Sequence, residues 1–354
     1  APETPALAAT RRHALKLGLL GLAMGGTPAL AGTERGFTHC VASGEPGPDR
    51  VLLWTRYASG QDTPLKWELA EDADFTRIVV QGDATASPAS DCCARAWAKG
   101  LKPGRWYFYR FVAPDGEKSP VGRTKTLPAG KVDRFRIAVF SCSNHGFGWF
   151  NAYGHAAEAG DFDLVLHLGD YFYEYPNGTY PSAKEGLAER LVPGGETVTL
   201  AQYRERFATY RRDPDLQRLH QLYPVISMWD DHEVANDAWK GGAENHQSET
   251  EGPYAARVAV AEQAYREWLP VSDAYWAQYE IGKLATLFRL ETRHVARDKP
   301  LDLGDVMEGK SGPELEAALA AFRDQTWRDP ARSLLGAEQE GWLAQGLKGS
   351  RKSG

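Results

Sequence analysis

Short apolar runs alternate with polar clusters along this chain, and the period of the alternation changes once. Up to about residue 127 the period is two. Leu65, Trp67 and Leu69 alternate with Lys66 and Glu68, the pattern of a half-buried strand. Val51-Leu52-Leu53-Trp54-Thr55, Ile78-Val79-Val80 and Trp106-Tyr107-Phe108-Tyr109-Arg110-Phe111 are rich in β-branched and aromatic residues. Turn signals separate them at Pro46-Gly47-Pro48, Lys102-Pro103-Gly104 and Asp115-Gly116.

The segment Leu101-Lys102-Pro103-Gly104-Arg105-Trp106-Tyr107 resembles the tyrosine corner of immunoglobulin- and fibronectin-type sandwiches. Residues 37–127 are therefore expected to form a small all-β sandwich with an aromatic interior.

After Pro128-Ala129-Gly130 apolar strands alternate with helical stretches. Phe135 to Phe140, Leu164 to Leu168, Pro224 to Trp229 and Leu284 to Leu290 read as four strands. Trp149 to Ala159, Leu200 to Tyr210 and Pro253 to Trp268 read as helices, and Asp213-Pro214 opens another as N-cap and first residue. A Gly- and Pro-rich excursion from Pro176 to Gly195 is long enough to be a functional loop. This alternation predicts an α/β domain over residues 133–354.

The N-terminal 31 residues read as an export signal. Arg11-Arg12 precede the apolar run Leu17 to Gly26, and Ala29-Leu30-Ala31 offers a small-residue cleavage site. The order resembles a twin-arginine signal, although Ala14 stands where such signals carry Phe. The run is shorter than the ~20 residues that span a bilayer. The expectation is thus a periplasmic or secreted protein that uses the twin-arginine export machinery and has no transmembrane span. In such a compartment Cys40 is able to pair with Cys92 or Cys93, and spacing alone leaves the connectivity open. The formal net charge of -6, with no concentrated basic face, argues against nucleic acid as a specific partner.

Three polar clusters each follow an apolar strand directly: Ser141-Cys142-Ser143-Asn144-His145, Gly169-Asp170-Tyr171-Phe172-Tyr173 and Asp230-Asp231-His232-Glu233-Val234-Ala235-Asn236-Asp237. If those strands are neighbours in one sheet, the clusters meet at its carboxyl edge, where open α/β sheets hold their ligands. Asp and Asn oxygens suit hard cations, while a thiolate and a phenolate suit a trivalent transition metal. Strands ~4.8 Å apart match the ~3.5–4 Å spacing of two-metal hydrolytic centres. Each residue also has a plainer reading. Asp170 alone is a turn residue, Cys142 alone a buried apolar one, and Asp230-Asp231-His232-Glu233 a solvated acidic turn before a helix. It is the coincidence of three clusters that favours a site.

At these residues the chain resembles the alkaline phosphatase D family of the metallophosphoesterases. The Ser-Cys turn, His167-Leu168-Gly169-Asp170-Tyr171-Phe172-Tyr173-Glu174-Tyr175 and Trp229-Asp230-Asp231-His232-Glu233-Val234-Ala235-Asn236 occur in that order. The resemblance implies a metallophosphoesterase-type α/β sandwich behind the all-β domain, and hydrolysis of phosphomonoesters and phosphodiesters, including phospholipid-like ones. It implies ferric iron and calcium as cofactors. Cys142 and Tyr173 would hold iron, and Asp170 would bridge the metals. Asp231 and Asn236 are further ligand candidates that the resemblance does not rank, His232 would be the acid for the leaving group, and Arg293 would either face phosphate or form a surface salt bridge. The family continues into further strands and a Gly-Asp-x-His motif, whereas this sequence stops at Gly354. That difference makes a catalytically inert fragment with an incomplete sandwich one alternative; a second, independent of it, is an exported binding module working through its all-β domain.

Overall fold

The computed structural model describes residues 34–350, so the expected export signal lies outside the described residues. Three sheets are present among the described residues. The first has six strands in the order β5-β2-β1-β10-β9-β8: β1 is Gly36–Gly44, β2 Arg50–Ala58, β5 Cys93–Lys99, β8 Ile137–Phe140, β9 Leu164–His167 and β10 Pro224–Ser227. The second, in the order β4-β3-β6-β7, contains β3 Thr63–Ala70, β4 Ile78–Ala86, β6 Trp106–Val112 and β7 Gly122–Lys125. The third is a hairpin of β11 (Ala277–Ile281) and β12 (Ala285–Arg289).

The all-β segment and the α/β segment share a sheet. β1 pairs antiparallel with β2 and parallel with β10, so three strands of the sandwich continue directly into the three parallel strands. Side-chain alternation then gives this sheet two buried faces. Val41 and Leu53 face the second sheet with Leu65, Tyr109 and Phe111, whereas Ala42 and Trp54 face the helices. A strand buried on both sides has no polar face to spare, which is why Val51-Leu52-Leu53-Trp54 reads as an unbroken apolar run. The tyrosine corner forms: the buried Tyr107 hydroxyl accepts from the Lys102 backbone N–H at 2.9 Å.

The helices are α1 (Asn151–Ala159), α2 (Leu200–Arg211), α3 (Pro214–Leu222), the single turn α4 (Ser248–Glu251) and α5 (Tyr254–Trp268). They are followed by α6 (Leu303–Met307), α7 (Gly312–Ala321) and α8 (Gly336–Gly349). Their starts have local causes. Thr199 and Gln202 make a capping box for α2, and Asp213 accepts from the N–H groups of Asp215 and Leu216 ahead of Pro214 in α3. Phe172, Phe207, Tyr210 and Trp268 pack between the helices and the sheet. None of the described helices is long and apolar enough to cross a membrane.

Two expectations change. The fourth strand lies outside the sheet that carries the three polar clusters: β12 pairs only with β11, which the polar Ala277-Gln278-Tyr279-Glu280 pattern did not announce. This hairpin covers the opposite face of β9 and β10, with Tyr279 packed against Leu164 and Ile226. The cysteines also remain as free thiols. Cys40 packs on the core between the sheets, Cys93 faces the helical core, and the Cys92 thiol is turned to the Ser59 carbonyl.

Candidate metal centre

Strands β8, β9 and β10 are parallel neighbours, so their carboxyl ends open onto one edge. The turns leaving them are laced together. The Cys142 N–H donates to the Gly169 carbonyl at 3.2 Å, and the Ser143 N–H to the Asp170 carbonyl at 2.9 Å. Cys142 and Asp170 both adopt left-handed backbone, with φ of 59° and 52°, a conformation that turns a chain sharply away from its strand. Between them Gly169 has φ 102°, and a Cβ there would overlap the Asp230 backbone nitrogen. The second and third turns therefore touch at a position that only glycine fits.

One ligand atom from each of Asp170, Asp231 and His232 falls within 4.8 Å of the others. The Asp170 Oδ2 accepts from the Tyr173 hydroxyl at 3.1 Å, and its Oδ1 is buried with no hydrogen-bond partner in the structure. A buried carboxylate oxygen without a donor is what a cation would satisfy. The Cys142 thiol adjoins Asp170 and Tyr173 and is itself exposed. Sulfur, phenol and carboxylate thus meet at one point, a donor set that fits a trivalent iron beside a harder divalent ion.

The electrostatics have nameable causes. Burial raises the Asp170 carboxyl above its ordinary value, and the nearby Asp231 and Asp230 carboxylates add to the shift. Burial alone would depress His232, but the Glu174 carboxylate overrides it, with Asp231 and Asp170, and lifts the imidazole to about 9. Burial also pushes the Tyr173 hydroxyl upward, reinforced by the Asp170 charge. A bound cation would reverse the direction for the acids that hold it.

Arg293 lies at the same rim. Its Nε pairs with Asp230, and its Nη2 lies 3.4 Å from Asp231 Oδ1. The Asn236 side chain donates to Glu244, and its backbone N–H donates to Glu174 at 2.8 Å. His145 is buried against Phe150 and Tyr210, with its Nδ1 2.8 Å from the Arg190 carbonyl, a structural placement.

Two carboxylates in the quoted motifs carry more than the sequence assigned to them. Glu174 is completely buried; its Oε2 takes His232 Nδ1 at 2.7 Å, and its Oε1 accepts from the Asn236 N–H and Asn245 Nδ2, each at 2.8 Å. Glu233 clips the second turn to the third, accepting from the Tyr171 N–H at 2.6 Å and the Asp230 N–H at 2.8 Å. Burial, and next the Asp170 charge, raise its carboxyl to about 8. A third, Glu291, accepts from the backbone N–H groups of Arg293, His294 and Val295 and from Trp229 Nε1, and so sets the turn that presents Arg293. For Glu174 the available signal was an acid directly beside a candidate ligand in an aromatic segment; Glu233 stands in an acidic turn and Glu291 outside the motifs, and neither carried such a signal.

Comparison with known proteins bears on the family of the chain. Residues 137–353 match the family described as PhoD-like phosphatase, and residues 24–128 match the PhoD-like phosphatase N-terminal domain. Alkaline phosphatase D of Bacillus subtilis (strain 168) is 37% identical over 334 residues, which cover 89% of this chain and 54% of that protein. A solved structure of PhoD superposes with a TM-score of 0.77 at 36% identity, covering 90% of this chain and 61% of the other. The chain therefore spans about half the length of the curated relative it matches.

Proposed function

The chain belongs to the PhoD-like phosphatase family, and from that premise we propose that it hydrolyses phosphoric esters at the rim formed by Asp170, Asp231 and His232. The observation that carries this reading is the convergence of those three ligand atoms within 4.8 Å, at the ends of adjacent parallel strands. The reading extends to mono- and diesters, phospholipid-like ones among them, and to export through the twin-arginine route on the strength of Arg11-Arg12 and the apolar run after them. A periplasmic or secreted location follows from the same segment.

Cys142 and Tyr173 would hold ferric iron, Asp170 would lie between the metals, and Asp231 with Asn236 would hold calcium. When bound, such ions withdraw charge from a phosphoryl group and make a nucleophile available at neutral pH. The chain's own groups supply the rest. With Nδ1 held by Glu174, the His232 Nε2 is the atom free to deliver a proton to the leaving oxygen. Arg293 offers a planar guanidinium to the phosphoryl oxygens, in exchange for Asp230 and Asp231.

The test has two parts. Purified protein should contain iron and calcium by elemental analysis and should hydrolyse an aryl phosphate, and Asp170→Asn should abolish hydrolysis while leaving the circular dichroism spectrum unchanged. Full activity in Asp170→Asn would refute the site, and absence of both metals together with absence of hydrolysis would leave the inert-module alternative. For export, replacing Arg11 and Arg12 by Lys should keep the protein in the cytoplasm.

A further inference from the structure

Beside the metal centre lies a cavity of about 320 Å³, roofed by the 176–195 excursion. Its walls include Tyr173, Tyr175, Tyr180, Pro181, Ala188 and Leu191. Two of these reach the centre directly: the Tyr173 ring lies 4.2 Å from the His232 ring, and the Tyr175 ring 5.5 Å from it. The cavity therefore adjoins the two rings that pack on the residue from which a proton would reach a leaving group. Tyr180 stands at the mouth, 5.5 Å from Tyr173 and 5.1 Å from Phe147, and is 41% exposed.

The guanidinium and amide groups around this cavity are already engaged. Arg206, the charged residue among those lining it, gives its guanidinium to the carbonyls of Tyr173, Tyr175 and Gly195. The Asn177 amide is exchanged with the backbone of Val192, and Asn144 bonds the Tyr180 carbonyl and the Gly146 N–H. What remains on the walls is ring and aliphatic surface, with the phenol hydroxyls of Tyr175 and Tyr180 as the neutral polar atoms among it. A charged or heavily hydroxylated group entering it would lose hydration without finding partners, whereas a ring would exchange water for ring contacts. The volume lies at the small end of the ~300–1,000 Å³ typical of ligand pockets, enough for one or two fused rings.

We propose that this cavity is the subsite for the leaving alcohol of the ester, that it selects an uncharged, ring-bearing alcohol, and that Tyr180 is the residue that sets the preference. The assignment rests on the phosphoesterase reading for the leaving-group role and on the cavity alone for ring binding.

The two are separated by using 2-naphthol as a binding probe and 2-naphthyl phosphate and glycerol 1-phosphate as substrates, on the full metal-loaded chain. Wild-type protein should bind 2-naphthol saturably by fluorescence titration. Tyr180→Ala should weaken that binding and raise the KM for 2-naphthyl phosphate by about tenfold, with glycerol 1-phosphate changed by less than about twofold. Tyr180→Phe should retain the wild-type preference, and Ala188→Phe, which fills the cavity, should reproduce the Tyr180→Ala pattern. Hydrolysis of both esters without naphthol binding, or equal KM changes for both esters in the two disruptive variants, would overturn the subsite. Saturable naphthol binding without hydrolysis of either ester would overturn the phosphoesterase reading and the leaving-group role with it.

Discussion

Glu174 Oε2 lies 2.7 Å from His232 Nδ1, and both side chains are buried. This pair fixes which imidazole nitrogen faces the rim and raises the proton affinity of the ring. Glu174→Gln preserves the shape and removes the charge. The expected result is a kcat loss of about 10–100-fold with KM nearly unchanged, a part of the ~10²–10⁴-fold that a positioned general acid contributes. Steady-state kinetics on an aryl phosphate, with metal content measured in parallel, checks it.

Gly169 joins the second strand to its turn at φ 102°, where any Cβ would meet the Asp230 backbone. Gly169→Ala should cost more than about 1 kcal/mol of stability, since backbone strain and overlap add. It should also lower activity by pushing the second and third turns apart. Urea denaturation measures the first effect and a rate assay the second.

Glu45 and Arg289 form an ion pair in which both side chains are 5% exposed, and Tyr279 and Ser272 also donate to Glu45, at 2.8 and 3.1 Å. The pair ties β12 to the chain just beyond the carboxyl end of β1. Glu45→Ala strands a buried guanidinium and should cost about 3–5 kcal/mol. A double replacement, Glu45→Met with Arg289→Met, should recover much of the loss; calorimetry on the three proteins decides it.

His39 is buried between α2 and the sheet, its Nε2 3.1 Å from the Ala208 carbonyl, and burial followed by the Arg56 charge lowers it from 6.5 to about 3. The unfolded chain therefore takes up a proton that the native chain refuses. The stabilisation is complete above pH ~6.5 and declines as pH falls toward ~3, with a slope of up to about 1.4 kcal/mol per pH unit. Urea titrations between pH 7 and pH 4 should show this decline, and His39→Gln should make it shallower.

Local pattern in the sequence determined much of the molecule. The two-residue period of Leu65, Trp67 and Leu69, the Asp213-Pro214 helix start and the apolar runs ending in polar clusters are each set by neighbours along the chain. The meeting of Cys142, Asp170 and Asp231 was legible only on the condition that their strands are neighbours, since parallel strands bring their carboxyl ends to one edge. Tertiary structure alone decided which strands share a sheet. The parallel pairing of β1 with β10 joins residues some 180 positions apart, and the β11–β12 hairpin is placed by packing against β9 and β10. It also decided the partners of Glu174, Glu233 and Glu291. An acid's role follows from which donors surround it after burial, and those donors come from turns far apart in the chain. Hydrophobic periodicity is a property of a few adjacent residues, but charge compensation inside a protein is a property of the whole fold.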